Sequence, residues 1–359
     1  MKILIIGFAK LKIMPYLNLY LDNIDREVNK ITVLYWNRDL VDEDVSKYKG
    51  INLCEFRRFQ EDEVAKYKKV KSFIGYRRYA KRFLKERFDR VIVLHSLPGI
   101  LLLDKLINKY SGKYILDYRD STLELFGLFR KALGHLIKHS SITITSSDAF
   151  RKYFPKEYQD KVYTTHNILE DSLSHRDYER IPSSKLRISF WGQIRHEDIN
   201  KAIIKDLAND NRFELHYYGR EQNIAKALKE YVIQLNAKNV FFHGEYTATD
   251  RYEFAKVTDV IHNIYYDNNT MLAMGNKYYD GLIFRIPQIC MPGSYMGELS
   301  ENNHVGKSIS PYDSTFADQL YTYIKSINQE DFIYSANNAL KKVLNDYELS
   351  VIAIKKALQ

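Results

Sequence analysis

Short aliphatic runs alternate with longer amphipathic stretches along this chain, and that alternation confines it to parallel sheets flanked by helices. Ile3-Leu4-Ile5-Ile6, Ile31-Thr32-Val33-Leu34-Tyr35, Val91-Ile92-Val93-Leu94, Tyr114-Ile115-Leu116-Asp117, Ser141-Ile142-Thr143-Ile144 and Lys161-Val162-Tyr163-Thr164 read as strands. Helical stretches at about 98–110 and 123–138 fall among them, enough for one Rossmann-like domain over 1–170. From 170 to 185 the composition turns polar, with Pro182 followed by Ser183 and Ser184, and the periodicity stops, as in a linker. A second series of strands begins at Leu186-Arg187-Ile188-Ser189-Phe190 and continues at 213–219, 240–242, 260–264 and 286–289, with helices at about 201–207, 223–234 and 250–256. It gives a second domain over 186–344. The architecture repeats; the sequence does not. Residues 331–359 read as helix throughout.

At 359 residues the chain is long enough for two cores. With 45% hydrophobic and 28% charged residues it belongs to the ordinary globular class, neither disordered nor fibrous. No apolar run approaches the roughly 18 residues of a membrane span, and the run Ile3 to Phe8 is too short for a secretory signal. Cys54 and Cys290 form no disulfide or zinc pattern, which points to a reducing cytoplasm. The net charge of +9 implies an anionic partner. Much of it gathers between Lys66 and Arg90, where eleven Lys or Arg face only Glu86 and Asp89 and are interleaved with Phe73, Tyr76, Tyr79 and Phe83. Two readings fit that segment. It is a basic amphipathic helix for an anionic membrane surface, or a solvated helix whose aromatic residues face the core.

Candidate chemistry concentrates in the second half. Trp191-Gly192-Gln193-Ile194-Arg195 follows the first strand there, at the carboxyl edge where open α/β sheets bind ligands. Gly192 allows close backbone approach to a phosphate, and Arg195 offers a forked donor. Tyr217-Tyr218-Gly219, Phe242-His243-Gly244-Glu245-Tyr246 and the strand ending at Tyr265 come next. Then Asn276-Lys277-Tyr278-Tyr279-Asp280 opens a helix that stops before Pro287, with Asn276 read as its N-cap. A cation at Lys277 faces the positive end of the helix dipole, which is unfavourable unless an anion binds there.

In order and spacing these elements resemble the donor site of GT-B glycosyltransferases, whose two facing Rossmann-like domains enclose a cleft. The resemblance implies an enzyme that moves a sugar from a nucleotide diphosphate sugar to a glycan or polyprenyl-linked acceptor, as in bacterial surface polysaccharide and capsule assembly. It also implies a closing helix, 345–359, that completes the first domain. Gly192, Arg195, Asn276 and Lys277 then meet the diphosphate, Asp280 the ribose, and Tyr246 the base. Replacing Asp280 with alanine is expected to weaken nucleotide binding without unfolding the protein. Two positions depart from the family pattern. Gln193 stands where a basic residue commonly follows the glycine, and Leu272 stands where many retaining members carry an acid. Asp267, Asn268 or Asn269 are its possible substitutes, and the stereochemical course stays open.

In the first domain, Asp117-Tyr118-Arg119-Asp120 ends a strand. Asp120, past the strand end, is the preferred catalytic carboxylate, with His95 and His166 as alternatives. No His or Cys cluster has zinc spacing, and metal-independent transfer without a cofactor is expected, with the sugar nucleotide as donor substrate. Neither a Walker A sequence nor a dinucleotide fingerprint occurs. The rival readings are a nucleotide-sugar epimerase of the same fold, a catalytically silent glycan-binding subunit, and a nucleic-acid-binding protein using residues 66–90. The expected location is the cytoplasm, peripheral on the inner face of the membrane, and nucleic acid is not the expected partner.

Overall fold

The computed structural model describes residues 1–61, 66–168 and 170–359, and the chain in it divides into two compact units: 1–166 with 345–359, and 167–344. In the first unit the strands are β1 (Lys2–Ile6), β2 (Lys30–Asn37), β3 (Asn52–Arg57), β4 (Arg90–Leu94), β5 (Tyr114–Tyr118), β6 (Ile142–Thr145) and β7 (Val162–Thr164). They form one parallel sheet in the order β3-β2-β1-β4-β5-β6-β7. Its helices are α1 (Leu17–Leu21), α2 (Val70–Phe83), α3 (Ser96–Leu101), α4 (Leu103–Tyr110) and α5 (Gly127–His139).

The second unit has β8 (Leu186–Trp191), β9 (Phe213–Tyr218), β10 (Val240–Gly244), β11 (Val260–Asn263), β12 (Gln288–Cys290) and β13 (Gly306–Ser308), parallel in the order β10-β9-β8-β11-β12-β13. Helices α6 (Glu197–Leu207), α7 (Asn223–Gln234), α8 (Arg251–Lys256), α9 (Asn276–Ile283), α10 (Tyr295–Asn302) and α11 (Phe316–Ser326) connect them. The last helix, α12 (Gln329–Leu358), begins in the second unit and ends in the first.

The central strands are apolar without alternation because both sheet faces are covered. Ile3, Leu4, Ile5 and Ile6 are all fully buried. On one face, Ile3, Ile5, Val33, Ile92, Ile115 and Ile144 pack on α1 and on Ala353, Ile354 and Leu358 of α12. The other face carries α2, α3, α4 and α5 in lateral contact. Here the aromatic residues between 66 and 90 find their place. Tyr76 and Phe73 meet Phe8 and Trp36, Tyr79 meets Phe56, and Phe83 meets Tyr79. That stripe faces the interior, as the plainer of the two readings of the segment holds.

Some elements depart from the sequence reading for physical reasons. β3 and β13 are edge strands of mixed polar sequence, so no apolar run announces them, whereas the other two edges, β7 and β10, keep apolar residues and were read. The helix expected over 98–110 is broken at Leu102, whose backbone leaves the helical region. The polar stretch read as a linker lies along the second unit and serves a purpose there. Arg176 donates to the Ile283 carbonyl at 3.3 Å, Tyr178 to Phe284 at 2.6 Å and Arg180 to Arg285 at 2.9 Å, satisfying carbonyls at the end of α9.

Candidate active site

Three strands of the second sheet end in glycines that abut one another. The Gly192 amide donates to the Tyr218 carbonyl at 2.8 Å, and the Gly219 amide to the Gly244 carbonyl at 2.7 Å. Gly192 has φ +125°, a conformation that side chains rarely adopt, and a Cβ placed on Gly219 would overlap the Gly192 carbonyl oxygen. A Cβ on Gly192 itself would sit 3.5 Å from the Lys277 ammonium. The bare backbone of Gly192 and the amine of Lys277 therefore share one point of the carboxyl edge.

Helix α9 delivers that amine. Its N-cap is Gly275, in extended backbone with no side-chain bond, so Asn276 is the first helical residue and not the cap that the sequence suggests. The Asn276 side chain is exposed at the positive end of the helix instead. Lys277 turns back across the sheet edge, its Nζ bonded to the Tyr265 hydroxyl and 4.4 Å from the Phe190 ring centroid. Burial brings its pKa down to about 7; Asp280 opposes this, and Arg195 and Arg251 add to it.

Arg195 is exposed at the end of the loop after β8, and its guanidinium donates to the Gln193 side-chain oxygen at 3.3 Å. Gln193 in turn donates to Gln222 at 2.8 Å. The residue that departs from the family pattern thus tethers the arginine two positions on. Beneath the loop, buried Asn200 donates to the carbonyls of Arg195 (2.6 Å) and His196 (2.9 Å). Its oxygen accepts from the Tyr217 hydroxyl at 3.0 Å and lies 3.3 Å from His262 Nε2. Because His262 Nδ1 accepts the Ile264 amide proton, the ring proton sits on Nε2, and burial holds the ring neutral with a pKa of about 3.

Asp280 is 4% exposed and carries Arg251, whose Nη1 lies 3.1 Å from both carboxylate oxygens. Burial raises its pKa, and Arg251 opposes the shift. Tyr246 stands edge-on to Phe254 with ring centroids 5.2 Å apart, its hydroxyl pushed up to about 12 by burial and felt by both Arg251 and Asp280. Arg251 and Asn200 carry no motif of their own, so sequence reasoning did not single them out, and Tyr265 entered it only as the end of a strand. Of the substitutes for the acid missing at Leu272, Asp267 spends one oxygen on the amides of Asn269 (2.8 Å) and Thr270 (2.7 Å). The other lies 3.6 Å from His196.

The first sheet has its own carboxyl edge. Asp117 is fully buried, bonded to Arg119 at 2.8 Å and to the Tyr20 hydroxyl at 2.7 Å, which makes it a structural ion pair. Asp120 lies beyond the end of β5 and is exposed. His166 is committed to Asp346 of α12 at 3.2 Å. His95 is unusual: it has φ +87° and ψ 150°, a region nearly reserved for glycine, between the end of β4 and α3. Its Nδ1 accepts the Leu97 amide at 3.3 Å and burial lowers its pKa, which leaves the ring neutral with the proton on Nε2. Asp120 and His95 therefore stand at the ends of neighbouring strands. Among the described residues no group of three or more His, Cys, Asp or Glu is placed to hold a metal.

No family model matches the sequence, and no curated protein matches it. Solved structures do match. Sucrose-phosphate synthase from Thermosynechococcus elongatus aligns over 99% of this chain and 97% of its own with a TM-score of 0.69 at 10% identity. A glycosyltransferase from Rickettsia africae aligns over 100% and 99% with a TM-score of 0.67 at 14% identity. HepE of Anabaena, solved with UDP and glucose, aligns over 99% and 97% with a TM-score of 0.65 at 14% identity. At these identities the likeness establishes the fold: two Rossmann-like domains of the GT-B type.

Proposed function

We propose that the chain is a glycosyltransferase that carries a sugar from a nucleotide diphosphate sugar to a glycan or polyprenyl-linked acceptor in surface polysaccharide assembly. The observation that carries this reading is the Lys277 ammonium, held beside the Gly192 backbone with Arg195 near it and the Tyr265 hydroxyl, a neutral group, as its hydrogen-bond partner. A diphosphate supplies the countercharge that this arrangement lacks. The Anabaena neighbour, solved with UDP-glucose, supports a sugar nucleotide as the ligand.

In this reading Arg195, Lys277 and the start of α9 take phosphate oxygens, and Asn276 borders them. Asp280 meets the ribose through the lone pairs that Arg251 leaves, and Tyr246 bounds the base. Transfer breaks the bond between the anomeric carbon and the diphosphate oxygen and forms one to the acceptor oxygen. The acceptor proton passes to Asp120, and the charge left on the diphosphate is offset by Lys277 and Arg195. No described helix is long and apolar enough to cross a membrane. A lipid-linked acceptor would be met at the bilayer surface, where exposed Lys68, Lys71, Arg78 and Arg82 of residues 66–90 face anionic headgroups.

The test is a thermal-shift and titration screen of nucleotide sugars, since a ligand at one hundred times its Kd stabilises by about 2.7 kcal/mol. UDP-glucose or another nucleotide sugar is expected to bind, and Lys277→Ala to abolish binding. If no nucleotide sugar shifts the melting temperature, the reading falls. Incubating the bound donor alone separates transfer from epimerisation.

A further inference from the structure

We infer that the apolar tip ahead of α5, with the basic groove behind it, is a docking surface for an anionic lipid bilayer. The inference rests on the reading above in one respect, that a lipid-linked acceptor is met at a membrane. The surface itself is a feature of the first unit and stands on separate observations.

Leu125, Phe126 and Leu128 are 70%, 66% and 86% exposed, and Gly127 lies between them. The fold does not account for these side chains. The buried stripe of α5 runs through Leu133, Leu136 and Ile137, and Leu128 is off it. Phe126 occupies the N-cap, where Ser, Thr, Asp or Asn would bond the first amides, and it makes no such bond. Four successive residues thus forgo both core burial and helix-start chemistry to present apolar surface to solvent.

Behind the tip, Arg130, Lys131, His135, Lys138 and Lys152 line a groove of about 590 Å³, in which Glu157 is the sole carboxylate. Salt bridges of the described residues involve none of those lysines or the arginine. The order of the two features decides the occupant. On a helix rising 1.5 Å per residue, Arg130 and Lys131 stand about 3–5 Å behind Leu128 along the axis, and Lys138 about 15 Å behind it. Apolar groups foremost and cations a few ångströms back match a bilayer, whose acyl boundary lies just beneath its anionic headgroups. The tip belongs to the loop after β5 that also carries Asp120, so docking would bring headgroup saccharides to that sheet edge.

The experiment is co-sedimentation with vesicles of phosphatidylcholine, alone and mixed with phosphatidylglycerol, with UDP-glucose titration of the same proteins. The parent should sediment with the mixed vesicles, less at high salt. Leu125→Ser, Phe126→Ser and Leu128→Ser together should lower its partition at least about tenfold, since each removes apolar burial in the bilayer. Lys131→Gln with Lys138→Gln and Lys152→Gln should abolish the preference for phosphatidylglycerol. Both variants should keep the parent's melting temperature, because the changed residues are exposed. A tip variant that sediments like its parent overturns the inference and leaves membrane contact to residues 66–90 alone. A parent that ignores vesicles but self-associates in light scattering, with the tip variant monomeric, overturns it in favour of a second copy of the chain. Vesicle binding with no binding of UDP-glucose or any other nucleotide sugar in the screen leaves the surface standing and counts against the transferase reading instead.

Discussion

Lys277 loses its proton near neutrality because burial penalises the ammonium and two arginines repel it, with Asp280 as the opposing charge. A bound diphosphate reverses that balance. Affinity for a nucleotide sugar that binds in the screen is therefore expected to fall as pH rises above about 7, and binding near pH 8 should take up a proton. Calorimetry in two buffers of different ionisation enthalpy reads this directly, and identical apparent enthalpies would count against it. The stability sign is opposite in direction. The folded value, about 7, lies below the unfolded lysine's roughly 10.4, so the unfolded chain binds more protons across that window and stability rises with pH within it. Lys277→Met should remove this pH dependence of stability. Asp280 calls for a revision of what its sequence position suggests. Asp280→Ala leaves Arg251 as an uncompensated buried charge, which costs about 3–5 kcal/mol, so a loss of stability precedes any loss of ribose contact. Urea denaturation should show that cost, and Arg251→Met in the same chain should recover most of it. An Asp280→Ala protein as stable as its parent would refute the pairing.

At the scale of elements, the site is a property of strand ends. Gly192 and Gly219 let β8 and β9 finish in contact, and the helix α9 then projects Lys277 over that junction. The loop after β8 is held from beneath by Asn200, so its shape depends on a side chain buried under it. Asn200→Ala should cost about 1–3 kcal/mol for the bonding groups it strands. It should also weaken binding of the proposed nucleotide sugar with Arg195 and Lys277 both intact. Unaltered donor affinity, measured at equal folded fraction, would reduce Asn200 to a purely structural residue. Strands were legible wherever they keep an apolar run, the edge strands Val162–Thr164 and Val240–Gly244 included. Asn52–Arg57 and Gly306–Ser308 escaped notice because an edge strand pairs on one side only and needs no continuous apolar run.

For the whole molecule, the two units differ in how their chain segments are assembled. The second is continuous over 167–344, whereas the first needs 345–359 to complete its core. Ser350 donates to the Thr164 carbonyl at 2.8 Å, and Ile354 is fully buried beneath the sheet. A chain ending at Leu344 should lose hydrogen-exchange protection across 1–166 and keep the affinity of 167–344 for whichever nucleotide sugar the full chain binds. Within the full chain, Ile354→Ala should destabilise the first unit by about 2–5 kcal/mol. Equal loss of protection in both units would show that they fold as one.

The sequence by itself determined the two alternating series, the parallel sheets they build and the loops at which chemistry gathers. Those features rest on local periodicity, and local periodicity is written in neighbouring residues. It also placed Gly192, Arg195, Tyr246, Asn276, Lys277 and Asp280 at strand ends and a helix start, because glycine, proline and charge mark such positions. Only the tertiary structure decided that Arg251 meets Asp280, that Tyr265 meets Lys277, that Gln193 tethers Arg195 and that His95 is strained. Each is a contact or a backbone state fixed by packing between segments, and no pattern along the chain encodes which of several polar residues a fold will bring within bonding distance.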